Sequence, residues 1–142
     1  MPTLMKTLSK MTPEVGATMI DRELPTIGDD DILVKTLAAS ICGTDVHIYE
    51  YNDWAKSRIP LPQIMGHELA GQVIAKGRNV TDIHIGDIVS AETHIVCGTC
   101  EFCLSGNAHI CQNTQIIGVD RDGAFAEYIA LPAKNAWVND PT

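Results

Sequence analysis

The fold is decided by the stretch GHELAGQVIAKGRNV, residues 66–80, in which an apolar strand pattern lies between glycines. Leu69 to Ala75 predicts a strand that ends at a turn around Gly77. A second turn at Gly86 and Asp87 precedes the next predicted strand, Asp87 to Thr93. Short strands separated by glycine turns indicate a mainly β domain.

The pattern continues on both sides of this stretch. Four more segments predict strands: Met5 to Ser9, Ala17 to Glu23, Ile32 to Ala38 and Ala124 to Leu131. Asp45 to Trp54 has apolar residues at a spacing that predicts one short helix. Many short strands at even spacing predict a barrel or sandwich, built as one compact unit.

Composition limits the class of protein. The 142 residues are 45% hydrophobic and 20% charged, which suits one globular domain. Ten Lys and Arg residues face 18 Asp and Glu residues, a net charge of -8 that argues against nucleic acid or anionic lipid as a partner. No apolar run approaches the roughly 20 residues of a membrane span, and no signal core is seen at the start. We therefore expect a cytoplasmic protein.

The most specific chemical signal is CGTCEFC, residues 97–103, followed by a further cysteine at position 111. An odd total of five cysteines cannot pair fully within one chain, which makes a disulfide framework a poor interpretation. Four thiolates at this spacing predict a closed, structural zinc site in a lobe of residues 95–112, hereafter the cysteine lobe. Iron–sulfur ligation and disulfides are the alternatives. His109 could also bind a metal, but four cysteines already fill the site.

A second constellation combines Cys42 with His67 and Glu68. Thiolate, imidazole and carboxylate are all zinc ligands, and a site with three protein ligands leaves a position for water or substrate. Asp45 is suited to accept the other ring N–H of His67 and so to fix the tautomer of the ring. The alternative is that Cys42 and His67 are simple core residues.

These motifs together resemble the medium-chain zinc-dependent alcohol dehydrogenases. The resemblance rests on GHE with its following glycines, on CGTD at residues 42–45 and on the four-cysteine lobe, and it covers about residues 37 to 131. ICGTDVHIY and FAEY are most similar to the bacterial threonine dehydrogenase branch, and sorbitol-type polyol dehydrogenases are also similar. Gly66, Gly71 and Gly77 are interpreted as turn or close-approach positions.

The resemblance implies a GroES-like β-barrel catalytic domain over residues 1–142, with short helices. The matching positions imply Cys42, His67 and Glu68 as catalytic zinc ligands, Thr44 and His47 as a proton relay, and Cys97, Cys100, Cys103 and Cys111 as structural zinc ligands. His94 matches a histidine near the substrate in threonine dehydrogenases, and its alternative is an ordinary core or surface histidine.

The resemblance further implies NAD-dependent oxidation of a secondary alcohol or amino-acid substrate, with L-threonine giving 2-amino-3-ketobutyrate, in a homotetramer with two zinc ions per chain. No G-x-G-x-x-G occurs in the sequence, so we expect a fragment that lacks the NAD-binding domain and is inactive alone. The ending Val138-Asn139-Asp140-Pro141-Thr142 favours the same interpretation.

Two other function classes remain open. One is a zinc-stabilised interaction module without enzymatic activity, which would leave Cys42 and His67 uncoordinated. The other is a nucleic-acid-binding zinc ribbon, suggested by the cysteine lobe alone and opposed by the acidic charge.

Overall fold

The computed structural model describes residues 3–139, and most of them lie in strands or in the turns between strands. The strands are β1 (Leu4–Lys10), β2 (Thr18–Glu23), β3 (Asp31–Ser40), β4 (Gln63–Ile64), β5 (Glu68–Lys76), β6 (Ile88–Ala91), β7 (His94–Ile95), β8 (Gln115–Ile116), β9 (Tyr128–Pro132) and β10 (Ala136–Val138). The helices are α1 (Gly43–Glu50), α2 (Asp53–Arg58) and α3 (Glu101–Leu104). Residues 140–142, part of the ending discussed above, and residues 1–2 of the predicted domain lie outside the described residues.

The largest sheet has five strands in the order β10-β6-β5-β3-β9. Each neighbouring pair in it is antiparallel, although only β5 and β6 follow each other directly along the chain. β3 and β5 pair along almost their whole length, from Ile32 opposite Lys76 to Ser40 opposite Glu68. This pairing brings the segment before Cys42 next to the segment that contains His67 and Glu68.

Two hydrophobic clusters hold the domain together. The larger one packs side chains of β3, β5, β6 and β9 with the turns beside them, and its members include Ile32, Val34, Val73, Val89 and Leu131. The smaller one packs α1 and α2 against the segments around Met65 and Val119. Because apolar burial is the dominant favourable term in folding, these clusters fix α1 beside the start of β5.

The predicted strands are confirmed with shifted ends. Leu69 to Ala75 corresponds to β5, whereas the predicted strand from Ala124 begins only at Tyr128. The prediction of one helix over Asp45 to Trp54 is wrong, because the chain forms two helices there. Tyr51 adopts a left-handed conformation (φ 53°, ψ 50°) that ends α1, and Asn52 caps α2 by accepting a hydrogen bond from the N–H of Ala55 at 3.0 Å.

Glycines of the 66–80 stretch occupy positions where a side chain does not fit, as predicted. Gly66 has φ 91°, and a Cβ added there would overlap the ring of Phe125. A Cβ on Gly77 would overlap the backbone carbonyl of Asp29. These residues therefore serve close packing, Gly66 beside His67 and Gly77 at the far end of β5, rather than chemistry.

None of the helices within residues 3–139 combines the length and the apolar character that crossing a bilayer requires.

Candidate functional site

The four sulfur atoms of the cysteine lobe lie close enough to share one metal ion. The Sγ–Sγ distances are 3.5 Å for Cys100–Cys103, 3.6 Å for Cys97–Cys111, 3.8 Å for Cys100–Cys111 and 4.0 Å for Cys97–Cys103. A tetrahedron with zinc–sulfur bonds of about 2.3 Å has edges of about 3.8 Å. The thiols therefore have the spacing of a four-sulfur zinc site and exceed the S–S bond length of a disulfide, about 2.05 Å.

Backbone and side-chain donors surround the sulfur of Cys97. The N–H groups of Thr99 and Cys100 lie 3.5 and 3.3 Å from it, and the Thr99 hydroxyl lies 3.6 Å away. These donors, those of Thr99 above all, lower the pKa of Cys97 to about 5, whereas burial raises the pKa of Cys103 to about 12. The donors around Cys97 thus favour its thiolate, which is the form that binds a metal.

The lobe has little apolar burial of its own. Among residues 97–111, Cys111 is the one buried residue, while Leu104 and Ile110 are exposed. A segment this poor in buried apolar contacts needs another source of order, which a bound metal would supply. His109 is exposed and lies outside the group of four cysteines, so the structure gives it no ligand role.

The second constellation also comes together. One ligand atom each from Cys42, His67 and Glu68 lies within 4.8 Å of the others. Cys42 immediately precedes α1, whereas His67 and Glu68 lie at the start of β5, so the β3–β5 pairing and the α1 packing jointly build the group. His67 is buried and Glu68 is exposed, which leaves this cluster open on one side.

Asp45 connects the two halves of the cluster. Its Oδ2 accepts a hydrogen bond from the backbone N–H of Cys42 at 2.9 Å, and its Oδ1 lies 3.8 Å from Nδ1 of His67. Oδ1 of Asp45 and Nδ1 of His67 are both buried without a hydrogen-bond partner among residues 3–139. Because Nδ1 faces Asp45, Nε2 is the nitrogen left for a metal, and the unpaired polar atoms fit a site that a cation completes.

A cavity of about 460 Å³ adjoins the cluster. It is lined by His67 and Glu68 together with small or apolar residues of β3, β5 and β6, among them Ala38, Ala39 and Ala70. Its wall is mostly apolar, so a small ligand that reached the cluster would lose water on this side.

The predicted relay residues lie on α1. Thr44 is half-buried in the first turn and His47 is exposed one turn later, so the two side chains lie on the same face of the helix. His47 Nδ1 lies 3.0 Å from the side-chain nitrogen of Asn52, and Trp54 contacts its ring edge to face with 6.5 Å between centroids.

His94 lies apart from the Cys42 cluster. It lines a different cavity, of about 500 Å³, between β7 and the cysteine lobe. The backbone N–H of His94 donates a hydrogen bond to the carboxylate of Glu92, and the His94 ring also hydrogen-bonds to it. These two bonds lower the pKa of the Glu92 carboxyl. Asn135 fixes the segment by donating to the carbonyls of Glu92 and His94 at 3.0 and 2.9 Å. The neighbouring Thr93 lines the cavity beside His67.

Sequence reasoning missed two residues next to the predicted site. The Ser40 hydroxyl hydrogen-bonds to the carboxylate of Glu68 across the β3–β5 pair, and nothing in the sequence gives that register. Asn52 contacts His47, and its residue type was a readable signal, because Asn is a common helix N-cap.

Comparison with known proteins gives relatives over nearly the whole chain. The chain is 58% identical over 137 residues to an L-threonine 3-dehydrogenase of Caldanaerobacter subterraneus, a match that covers 96% of this chain and 40% of that protein. The chain thus spans about two fifths of the length of this relative.

Solved structures share the fold. A short chain alcohol dehydrogenase from Escherichia coli CFT073 in complex with NADH superposes with a TM-score of 0.87 at 34% identity, over 99% of this chain and 40% of that one. The galactitol-1-phosphate dehydrogenase of Escherichia coli gives 0.87 at 32% identity, over 96% and 38%.

The sequence model of one protein family, the alcohol dehydrogenase GroES-like domain, matches residues 28–140 of this chain. The expectation of a mainly β, GroES-like fold is thereby confirmed, and so is the similarity to the threonine dehydrogenase branch. This chain belongs to the alcohol dehydrogenase GroES-like domain family.

Proposed function

We propose that this chain is the catalytic domain of a longer zinc- and NAD-dependent dehydrogenase that oxidises L-threonine to 2-amino-3-ketobutyrate. The observation that carries the proposal is the cluster of Cys42, His67 and Glu68, whose ligand atoms lie within 4.8 Å of one another beside an apolar cavity. The 58% identity to a protein named L-threonine 3-dehydrogenase supports the choice of substrate.

In this proposal Cys42, His67 and Glu68 hold the catalytic zinc, which would supply Lewis-acid polarisation of the substrate hydroxyl. Asp45 orients the ring of His67 from behind, and the Ser40 hydroxyl orients Glu68. A ligand set made from one buried imidazole and one exposed carboxylate leaves room for the substrate oxygen on the exposed side.

The side chains of α1 move the proton. The Thr44 hydroxyl takes the proton of the substrate hydroxyl and passes its own towards His47, and the exposed ring of His47 exchanges protons with solvent. NAD, when bound by the longer enzyme, would supply the hydride acceptor. His94 itself lines the cavity beside the cysteine lobe, so the proposal brings it to the substrate side only through its neighbour Thr93, which lines the cavity beside His67.

The cysteine lobe has a structural role in the proposal. Cys97, Cys100, Cys103 and Cys111 fill a tetrahedron with thiolate, so a zinc ion there has no position left for substrate. The two sites make two zinc ions per chain. Reduced thiols at this density suit a cytoplasmic enzyme, and the homotetramer is expected from the family resemblance.

A polyol dehydrogenase is the second candidate, because the galactitol-1-phosphate dehydrogenase shares the fold at a TM-score of 0.87. Both candidates use the same metal cluster and differ in the substrate that the cavity selects. Fold alone does not decide between them, since one fold hosts many specificities.

A chimera tests the proposal. This chain replaces the matching part of the Caldanaerobacter subterraneus relative, and NADH formation is followed with L-threonine and with sorbitol. We expect L-threonine-dependent NADH formation and loss of activity in Cys42→Ser. The control His84→Gln should change activity little, because the ring of His84 is exposed and has no part in the proposed site. A chimera that folds and binds NAD but does not oxidise L-threonine, beside an active parent, would contradict the proposal.

A further inference from the structure

Asn52 joins the two short helices by its side-chain amide. Its Oδ1 accepts the hydrogen bond from the N–H of Ala55 at 3.0 Å, and its Nδ2 lies 3.0 Å from Nδ1 of His47. A side-chain amide has one oxygen that accepts and one NH₂ group that donates. Because the backbone N–H of Ala55 requires the oxygen, the NH₂ group is the part that faces the ring of His47.

This arrangement determines which nitrogen of His47 carries the proton. An NH₂ group can only donate, so Nδ1 of His47 has to accept, and the neutral ring then carries its hydrogen on Nε2. Two further contacts hold the geometry. The backbone N–H of Asn52 donates to the carbonyl of His47 at 3.3 Å, and the ring of Trp54 lies against the imidazole at an interplanar angle of 66°.

We infer that Asn52 is a positioning residue that holds His47 in the Nε2–H tautomer. The inference rests on the proposed role of His47 in the proton relay, and it names the atom that takes part. In this tautomer Nδ1 has the electron pair that takes up the relayed proton, displacing the hydrogen bond from Asn52, and Nε2 carries the proton that then leaves to solvent. A histidine held in the wrong tautomer can lose most of its catalytic effect even when its position is correct.

The structure also explains how a surface histidine is held in this way. The left-handed Tyr51 ends α1 and turns the chain back, which brings the first residue before α2 to the side chain of His47. Tyr51 itself is buried in the smaller hydrophobic cluster, with Ile48 and Ala55 as neighbours in the same cluster. The link between Asn52 and His47 is therefore supported by packing from both helices.

The test replaces the donor while it keeps the helix cap. In Asn52→Asp the carboxylate still accepts from Ala55, because Asp and Asn are similar N-caps, but it offers His47 an acceptor instead of a donor. In Asn52→Ser the cap remains and the contact with the ring is lost. ¹⁵N-histidine-labelled chain is recorded at about pH 8, where most histidines are neutral, and His47→Gln assigns the signals.

We expect the ¹⁵N spectrum of the unsubstituted chain to show His47 with a protonated Nε2 and an unprotonated Nδ1. Asn52→Asp should move the ring towards the Nδ1–H form, and Asn52→Ser should give a mixture. An unchanged amide signal of Ala55, recorded on uniformly ¹⁵N-labelled chain, shows that the cap is intact. The same tautomer in all three proteins would overturn the inference, as would a protonated Nδ1 in the unsubstituted chain.

The kinetic counterpart uses the chimera, where Asn52→Asp should lower kcat by at least about tenfold with a smaller change in KM for L-threonine. The spectrum requires no metal, NAD or substrate, so the two proposals fail in different ways. An inactive chimera with the expected tautomers contradicts the proposed function alone. An active chimera whose kcat and tautomer do not respond to Asn52→Asp contradicts the inference alone.

Discussion

Nδ1 of His67 lies 3.8 Å from Oδ1 of Asp45, and both side chains are at least nine-tenths buried. This separation is longer than a hydrogen bond, which for N–H···O is normally 2.7–3.2 Å. The carboxylate is nevertheless the polar group that the ring faces. With Nδ1 on the side of Asp45, Nε2 is the nitrogen that remains for a metal shared with Cys42.

The first prediction concerns this carboxylate. Asp45→Asn keeps an oxygen for the N–H of Cys42 but removes the charge opposite His67, so metal affinity at the Cys42 cluster should fall about 10–100-fold. This affinity is measured by titrating the chain with cobalt once the lobe is saturated and recording the visible absorption. Asp53→Asn, an exposed carboxylate at the start of α2, is the matched control and should bind cobalt like the unsubstituted chain. Equal affinity in Asp45→Asn would refute the role of the carboxylate.

The second prediction concerns the order of the cysteine lobe. Cys103→Ser removes one of four thiolates, and the lobe has too little apolar burial to remain ordered without the metal. Hydrogen exchange of residues 97–111 should become fast, while β3 and β5 stay protected, since structural zinc supplies on the order of 10 kcal/mol. Cys42→Ser is the control and should leave the exchange of the lobe unchanged. Continued protection of the lobe in Cys103→Ser would show that it orders without metal.

The third prediction concerns the ion pair of Arg58 and Asp120, which joins α2 to the segment after β8. Both guanidinium contacts are 2.8 Å, and they are the main cause that lowers the pKa of the Asp120 carboxyl. Asp120→Asn keeps an acceptor for the N–H of Ile116 and loses the charge. Unfolding free energy at pH 7 should fall by about 1 kcal/mol, because solvent screens the partly exposed arginine.

The pH dependence of the same pair has a definite sign. The pKa of Asp120 is lower in the folded than in the unfolded chain, so its stabilisation is fully present above about pH 5 and is lost as the pH falls through the folded value. Denaturant unfolding of the unsubstituted chain and Asp120→Asn should therefore give curves that converge at low pH. A difference that grows on acidification would contradict this assignment.

The fourth prediction compares two glycines near the site. In Gly66→Ala the new Cβ would overlap Phe125 at a φ of 91°, so stability should fall by more than about 3 kcal/mol. In Gly43→Ala the Cβ meets nothing within 4 Å, at a helical position, so stability should be unchanged or rise by up to about 1 kcal/mol. Thermal unfolding of the two variants separates the cases. Similar losses in both would show that the packing around Gly66 is not the cause.

The sequence predicted the parts of the structure that depend on local pattern. Apolar segments bounded by turn residues located β1, β3 and β5, and cysteine spacing located the lobe, because each signal lies within one continuous segment. The break between α1 and α2 was missed, since the apolar spacing of the two helices continues across Tyr51. The contact of Ser40 with Glu68 depends on the register of two strands 28 residues apart, which no local pattern carries.

The number of zinc ions bound per chain tests most directly the central claim, that two separate clusters hold metal. Zinc content is measured after equilibrium dialysis over a range of free zinc concentrations, for the unsubstituted chain and for Cys42→Ser and Cys103→Ser. We expect two ions in the unsubstituted chain at high free zinc, with loss of the weaker ion in Cys42→Ser and of the tighter one in Cys103→Ser. Identical zinc binding by Cys42→Ser and the unsubstituted chain at every concentration would contradict the claim.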